Sequence, residues 1–332
     1  MQNLGILDNQ YNILSYKGSI EDRFSFIARN NQTLVNYLIF IKKPHNDEND
    51  NFPATELNIL NILQNVNNPY ILHYIGNGNG ILALNNKPPK NVNYLVFEYA
   101  PNLYLFDYIG YYNKGLTERQ AKLLFRKILN GVRAIHNANI CHKNLNPTSI
   151  IFDGNYNPKI CNFYLSSIYA NNLNEYFCTR EFISPEILEK QPHDGFKADI
   201  FSLGQLLFLI VNNIFGFRSA DDKDQYYSLI KNHQFNEYWK SEQFRDLYLS
   251  NEFKDLFLRM VSYDPLQRPT IDQILSEPWI QELNNLNNEQ LNDLENELRN
   301  ELIKREEEVN EFILEERKED EKTLDKLLNY GF

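Results

Sequence analysis

The chain of 332 residues is poor in several residue types that announce a function early: it has three cysteines, two methionines, two tryptophans and thirteen glycines. Cys141, Cys161 and Cys178 are odd in number and lack the close paired spacing of a zinc site. That excludes a disulfide framework and leaves three reduced thiols with no assigned role. No apolar run approaches the roughly 18 residues of a bilayer crossing, and the start, MQNLGILDNQ, has neither the basic nor the long apolar part of a secretory leader. A soluble cytoplasmic protein is expected, with no membrane contact, either free or held in a cytoskeletal or other complex.

Basic charge is also short, with 33 Lys and Arg against 44 Asp and Glu for a net charge of −11. Residues 281–332 hold sixteen of the acids and seven of the bases, so the preceding body is close to neutral. Neither part offers a basic face to a phosphate backbone, and no nucleic-acid partner is expected. The acidic tail reads as the solvated face of a helix or as a surface for a basic partner.

What the chain does have is apolar and aromatic residues, 42% and 14% of the total, enough to bury a sizeable core. Before residue 100 the pattern predicts short strands at 11–16, 24–28, 34–42, 81–85 and 94–99, with one helix over 54–66 that has Pro53 near its first turn. The glycine run at 76–80 reads as a turn. After residue 100 the periodicity is helical. Thr117 and Gln120 form a capping box ahead of a helix with Leu124, Ile128, Val132 and Ile135 on one side, and 200–211 is apolar all round, as in a central buried helix. Strands first and helices second predict an α+β protein with a small β-rich lobe, 1–98, and a larger helical lobe, 99–280. A third region, 281–332, carries Leu291, Leu294, Leu298, Leu302, Val309 and Ile313 at helical spacings, with Leu324, Leu327 and Leu328 further on. It is expected to be an amphipathic helix, either a coiled coil that pairs with another copy or a helix folded back on the body.

The segment HKNLNPTSIIFD, 142–153, resembles the catalytic loop of a protein kinase with its chemical groups made neutral. LVFEYAP (95–101) resembles the kinase hinge, SPE (184–186) the Ala-Pro-Glu motif, DIFSLG (199–204) the buried helix, and DPLQRPT (264–270) the late arginine motif. In this order, and spanning about 11–280, the series resembles a eukaryotic Ser/Thr protein kinase domain, most similar to the calcium/calmodulin-dependent group. The resemblance implies a bilobal kinase fold. It also implies structural roles for His142, Phe163, Glu186, Asp199 and Arg268, with Glu186 paired to Arg268 and Asp199 holding the catalytic-loop backbone.

At the positions that would do chemistry, the resemblance implies losses. Asn144 stands at the catalytic aspartate, Asn146 at the lysine, Ser149 at the metal-binding asparagine and Asn162 at the metal-binding aspartate, followed by Phe163 and Tyr164. An amide neither takes up a proton at neutral pH nor matches a carboxylate as a ligand for a hard dication. The glycine-rich loop would fall near 17–28, where Gly18 is the sole glycine and Glu21 and Asp22 would repel phosphate. Lys42, or Lys43 in a shifted register, matches the strand lysine. Phe40 then lies under the adenine position on the same face, Ile59 takes the place of the helix glutamate, Glu56 sits one turn earlier, and Tyr104 replaces an acid common after the hinge. Phe40 and Ile59 are expected to fill the pocket, while the backbone of Glu98 and Ala100 remains the one plausible adenine contact.

The resulting expectation is a pseudokinase that acts through protein contacts of its body and tail, without a cofactor and with no bound metal. The alternative is a divergent active Ser/Thr kinase that uses ATP and magnesium, with Asp153 and Asp194 as spare acids. Phosphorylation of Thr179 is weighed against a buried structural hydroxyl at that position.

Overall fold

Alternating apolar residues in the first hundred positions build a sheet that closes on itself. The computed structural model describes residues 4–329 apart from 21, 44–50, 86, 111, 113, 170–172 and 174–178, with side chains as far as Val309. Strands β1 (Gly5–Leu7), β2 (Tyr11–Ile20), β3 (Arg23–Asn30), β4 (Asn36–Lys42), β5 (Tyr74–Leu84) and β6 (Lys90–Phe97) form a barrel in the order β1-β2-β3-β4-β6-β5. Every neighbouring pair is antiparallel. One set of alternate side chains, including Ile13, Phe24, Phe26, Ile39, Ile41 and Val96, fills the interior. The other set, including Ile27, Leu38, Phe40, Leu95 and Phe97, faces out and joins the core of the helical lobe.

One strand goes unread in the sequence and one expectation fails, each for a physical reason. The strand β1, three residues long and too short to show a period, pairs with both β2 and β5 and so removes the sheet's open edges. The glycine run at 76–80 is no turn but the middle of β5. A Cβ on Gly78 would lie 2.4 Å from the Tyr94 ring, and one on Gly80 would lie 2.5 Å from the Asp8 side chain. Tyr94 Oη donates to Asp8 Oδ2 at 2.9 Å, so these glycines make room for the contact that seals the barrel.

Between β4 and β5 runs α1 (Ala54–Leu63), and the chain then enters the helical lobe through α2 (Leu105–Gly110) and α3 (Glu118–Asn137). The Thr117–Gln120 capping box is present, and Leu124, Ile128, Val132 and Ile135 are all buried. Four short strands follow: β7 (Ile140–Cys141), β8 (Ile150–Phe152), β9 (Pro158–Ile160) and β10 (Ser167–Ile168), paired β7 with β10 and β8 with β9. Next come α4 (Pro185–Leu188), α5 (Gly195–Asn212), α6 (Gln225–Lys231), α7 (Phe235–Lys240), α8 (Asn251–Met260), α9 (Ile271–Leu275) and α10 (Pro278–Gln281). Helix α5 is long and apolar enough to cross a membrane by length and composition, but 78% of it is buried among the other helices. It is the axle of this lobe.

The last helix, α11 (Asn288–Asn329), packs on α2 and α3 and touches β2. Leu294, Leu298, Leu302 and Val309 are buried against the body. Arg305 is buried with them, donating to the carbonyls of Tyr108 at 3.1 Å and Gly115 at 3.0 Å. Glu306 accepts from the hydroxyls of Tyr108 and Tyr156, each at 2.9 Å. The apolar stripe is therefore spent within the chain as far as Val309. This corrects the coiled-coil alternative over that stretch: a helix marginal in water gains its stability from packing, and here the body supplies it. The side chains of Ile313, Leu324, Leu327 and Leu328 lie outside the described residues, as do Glu21 and Cys178.

Candidate active site

The support beneath the site is charged and fully bonded. Asp199 on α5 accepts the backbone N–H groups of His142 and Lys143, both at 2.8 Å, and contacts His136 Nε2 at 2.9 Å. Lys143 has a φ of 64°, a left-handed conformation that the two bonds to one carboxylate hold in place. Arg268 forks onto both oxygens of Glu186 at 2.7 Å and also donates to the carbonyls of Ser262 and Lys197. Burial raises the Glu186 carboxyl, but bonds from Arg268 outweigh it and hold the group below its ordinary value.

Above this support the loop is neutral. Asn146 accepts from the backbone and hydroxyl of Thr148 through its Oδ1 and donates to Asn144 Oδ1 at 2.8 Å, while Ser149 Oγ donates to the Asn146 carbonyl at 2.8 Å. Asn144, Asn146 and Ser149 are buried and bound to one another. The His142 ring packs 5.0 Å from that of Phe163, with Nε2 donating to the Cys161 carbonyl at 3.0 Å and Nδ1 accepting from the Asn144 N–H at 3.2 Å. Those two bonds require the neutral imidazole, and burial lowers its pKa in the same sense. Asn162, the first residue of the triplet that ends in Tyr164, has a φ of 70°.

Asp153 and Asp194 are engaged elsewhere. Asp153 accepts from the N–H groups of Asn155 and Asn157, and Asp194 caps α5 through Phe196 and Lys197. Thr179 is exposed and makes no capping bond, which corrects the buried-hydroxyl reading.

Among the described residues, aromatic side chains crowd the cleft between the lobes. Phe40 stands edge-on to Phe97 at 5.5 Å, and Phe97 to Tyr74 at 5.5 Å. Phe40 and Phe97, with Ile20, Arg23, Glu56, Tyr104, Cys161, Asn162 and Phe163, line a cavity of about 10 Å³. That is room for about one water, against the ~300 Å³ or more of a typical small-molecule site. Ile59, on α1, is buried in the same core but does not line the cavity. At the hinge, Glu98 accepts from Lys159 at 2.8 Å and from the His73 N–H at 2.9 Å, and Ala100 is buried. Lys17 of β2 donates to the carbonyls of Pro101 and Asn102, drawing the barrel onto the hinge.

The strand lysines that the active-kinase alternative would pair with Glu56 have other contacts. Lys42 Nζ donates to the Asn51 carbonyl at 2.6 Å, outside the cavity. Lys43 lies over the Phe24 ring at 5.3 Å. Glu56, buried on α1, pairs instead with Arg23. Burial opposes the guanidinium charge, but Glu56 overcomes it and raises the pKa above its ordinary value. Sequence reasoning missed Arg23, although a charged residue inside the apolar run RFSFIA was its signal.

Among the described residues no group of three or more His, Cys, Asp or Glu is placed to hold a metal ion. Kinases normally use ATP and magnesium; the cavity described has room for about one water, and Asn162 and Ser149, which the resemblance puts at the metal positions, present an amide and a hydroxyl.

The protein-kinase-domain family model matches residues 23–280, so the chain belongs to the protein kinase family. It is 29% identical over 196 residues to maternal embryonic leucine zipper kinase of Xenopus laevis, covering 58% of this chain and 28% of that protein. It is 28% identical over 223 residues to human NUAK family SNF1-like kinase 1, covering 67% and 31% respectively. With the probable serine/threonine-protein kinase MARK-A of Dictyostelium discoideum the identity is 29% over 189 residues, 56% of this chain and 17% of that protein. The match spans under a third of the length of each of these relatives.

Proposed function

We propose that this chain is a pseudokinase, a kinase fold that works by presenting a fixed surface to a protein partner. The observation that carries the reading is the crowded cleft, in which Phe40 and Phe97 occupy the space between the lobes while Asn144 and Asn162 stand where two carboxylates would act. Phosphoryl transfer is chiefly positioning and charge stabilisation, so a site without room or negative metal ligands loses both contributions together. Retention of Asp199, Glu186 and Arg268 supports a role that needs the shape rather than the reaction.

A second reading is favoured by the relatives, which bear the names of kinases. On it, the chain is a divergent Ser/Thr kinase whose cleft opens to admit ATP. A titration with ATP, with and without magnesium or manganese, separates the two: the pseudokinase reading expects no rise in melting temperature and no transfer of labelled γ-phosphate to the chain or to generic proteins. Metal-dependent labelling that survives repurification would sink it.

A further inference from the structure

Arg23 and Lys42 are direct partners on the antiparallel strands β3 and β4, so both side chains leave the barrel on the same face. They then part. Arg23 is 3% exposed and bonds the two oxygens of Glu56 at 2.8 and 3.3 Å, with Nε on Asp22 at 3.2 Å. Lys42 turns to the Asn51 carbonyl. The cation that faces Glu56 is therefore on β3, while Lys42 of β4 is bonded elsewhere.

An arginine at this place touches more than the carboxylate. The Arg23 guanidinium lies 5.3 Å from the centre of the Phe52 ring, just before α1, and 5.6 Å from that of Tyr164, in the large lobe. A flat, delocalised cation can bond a carboxylate along its edge and meet aromatic rings at its faces, which an ammonium on a flexible stem does less well. One side chain thus joins the β2–β3 hairpin, the start of α1 and the Asn162-Phe163-Tyr164 segment. These three pieces are far apart in sequence and belong to both lobes.

We propose that Arg23 is an internal clamp that holds the two lobes closed and α1 docked without any bound ligand. The cavity beside it supports this, since the guanidinium forms part of its wall and leaves no space for a ligand to bridge the same pieces. The clamp rests on the Arg23 geometry and not on whether the chain transfers phosphate.

The test is hydrogen–deuterium exchange on the full chain in the absence of nucleotide, so that ATP binding, which bears on the proposed function, is read separately. Arg23→Met is expected to raise exchange in 54–63 and in 163–168 together, by about tenfold or more, given the strength of charge-assisted bonds. Exchange in α5 should stay at the wild-type level, showing that the body is folded. Arg23→Lys keeps a charge for Glu56 but loses the flat face, so its larger rise should fall in 163–168. Tyr164→Leu leaves the ion pair intact and should still loosen 54–63 through the guanidinium; with Arg23→Lys it carries the test if the Met variant does not fold. Unchanged exchange of 163–168 in the Arg23 variants, or of 54–63 in Tyr164→Leu, would reduce Arg23 to a local ion pair and overturn the clamp.

Discussion

The cleft between the lobes and the base of the large lobe bury charge in opposite ways. At the base, Asp199, Glu186 and Arg268 are bonded inside the protein, Asp199 and Arg268 to backbone groups as well as to side chains. In the cleft the residues that resemble catalytic and metal positions, Asn144, Ser149 and Asn162, are neutral, and the ion pair is Arg23 of β3 with Glu56 of α1. The difference follows from what each charge would face. A buried charge whose partner belongs to the fold is costly to remove, because the partner is left exposed to the low-dielectric interior without a bond. A charge whose partner is a ligand costs desolvation whenever the ligand is absent, so replacing it with an amide or filling the space with phenylalanine relieves the fold.

The sharpest way to break this comparison is at the base. Arg268→Ala removes the donor that the Glu186 carboxylate and the carbonyls of Ser262, Lys197 and Tyr263 share, and should cost about 3–5 kcal/mol in urea unfolding. A loss under about 1 kcal/mol would mean that water replaces the guanidinium and that the base is no more demanding than the surface. The corresponding change in the cleft is Phe40→Ala, expected to cost about 3 kcal/mol, towards the low end for Phe→Ala, because neighbours around an existing small cavity are able to collapse. It makes room under the hinge without restoring any phosphate or metal ligand. Melting in the presence of magnesium and ATP should therefore remain unshifted; a metal-dependent rise in this variant would show that bulk alone had closed the site.

The helical lobe was legible because its signals are local. The period of Leu124, Ile128, Val132 and Ile135 and the Thr117–Gln120 box lie within one helix, and both appear in the fold as read. The barrel was less legible, because a strand's neighbours are set by distant residues. Nothing adjacent to Gly78 or Gly80 in sequence reveals that Tyr94 and Asp8 will press against them. The same holds in the site. Phe40 was placed in the cleft by its resemblance to the family's strand motif, with alternation adding only that it shares a face with Lys42, whereas the Arg23–Glu56 pair depends on the register between β3 and β4 and on where α1 docks. The tail was read as a helix from composition, but its partner surface, made by α2 and α3, could not be read from its own stripe.

That tail sharpens the comparison from outside both regions. Replacing Leu294 and Leu298 with aspartate puts two charges into a buried apolar seam, so α11 should lift off while the body stays folded. Limited proteolysis should then cut within 288–309, and the unfolding midpoint should fall by less than for Arg268→Ala or Phe40→Ala. If the protein instead lost its cooperative unfolding altogether, the helix would have to count as part of the main core.

The smallest effect concerns a proton. Burial lowers the pKa of His142 and also that of His193, so in the folded chain both groups stay neutral to lower pH than in the unfolded chain. The unfolded state therefore binds more protons below the ordinary histidine value of about 6.5, and stability present above that value is lost as pH falls towards the folded pKa. The slope is at most about 1.4 kcal/mol per pH unit for each proton. For His142 the structure gives the reason, since a second proton on the ring would face the Asn144 N–H and destroy the bond to Nδ1. Urea midpoints should thus decline between pH 7 and pH 5, and the decline should be shallower in His142→Gln, which has no proton to gain. An identical slope in that variant would assign the acid sensitivity to His193 or the carboxylates and leave the neutral imidazole of the catalytic loop without a thermodynamic signature.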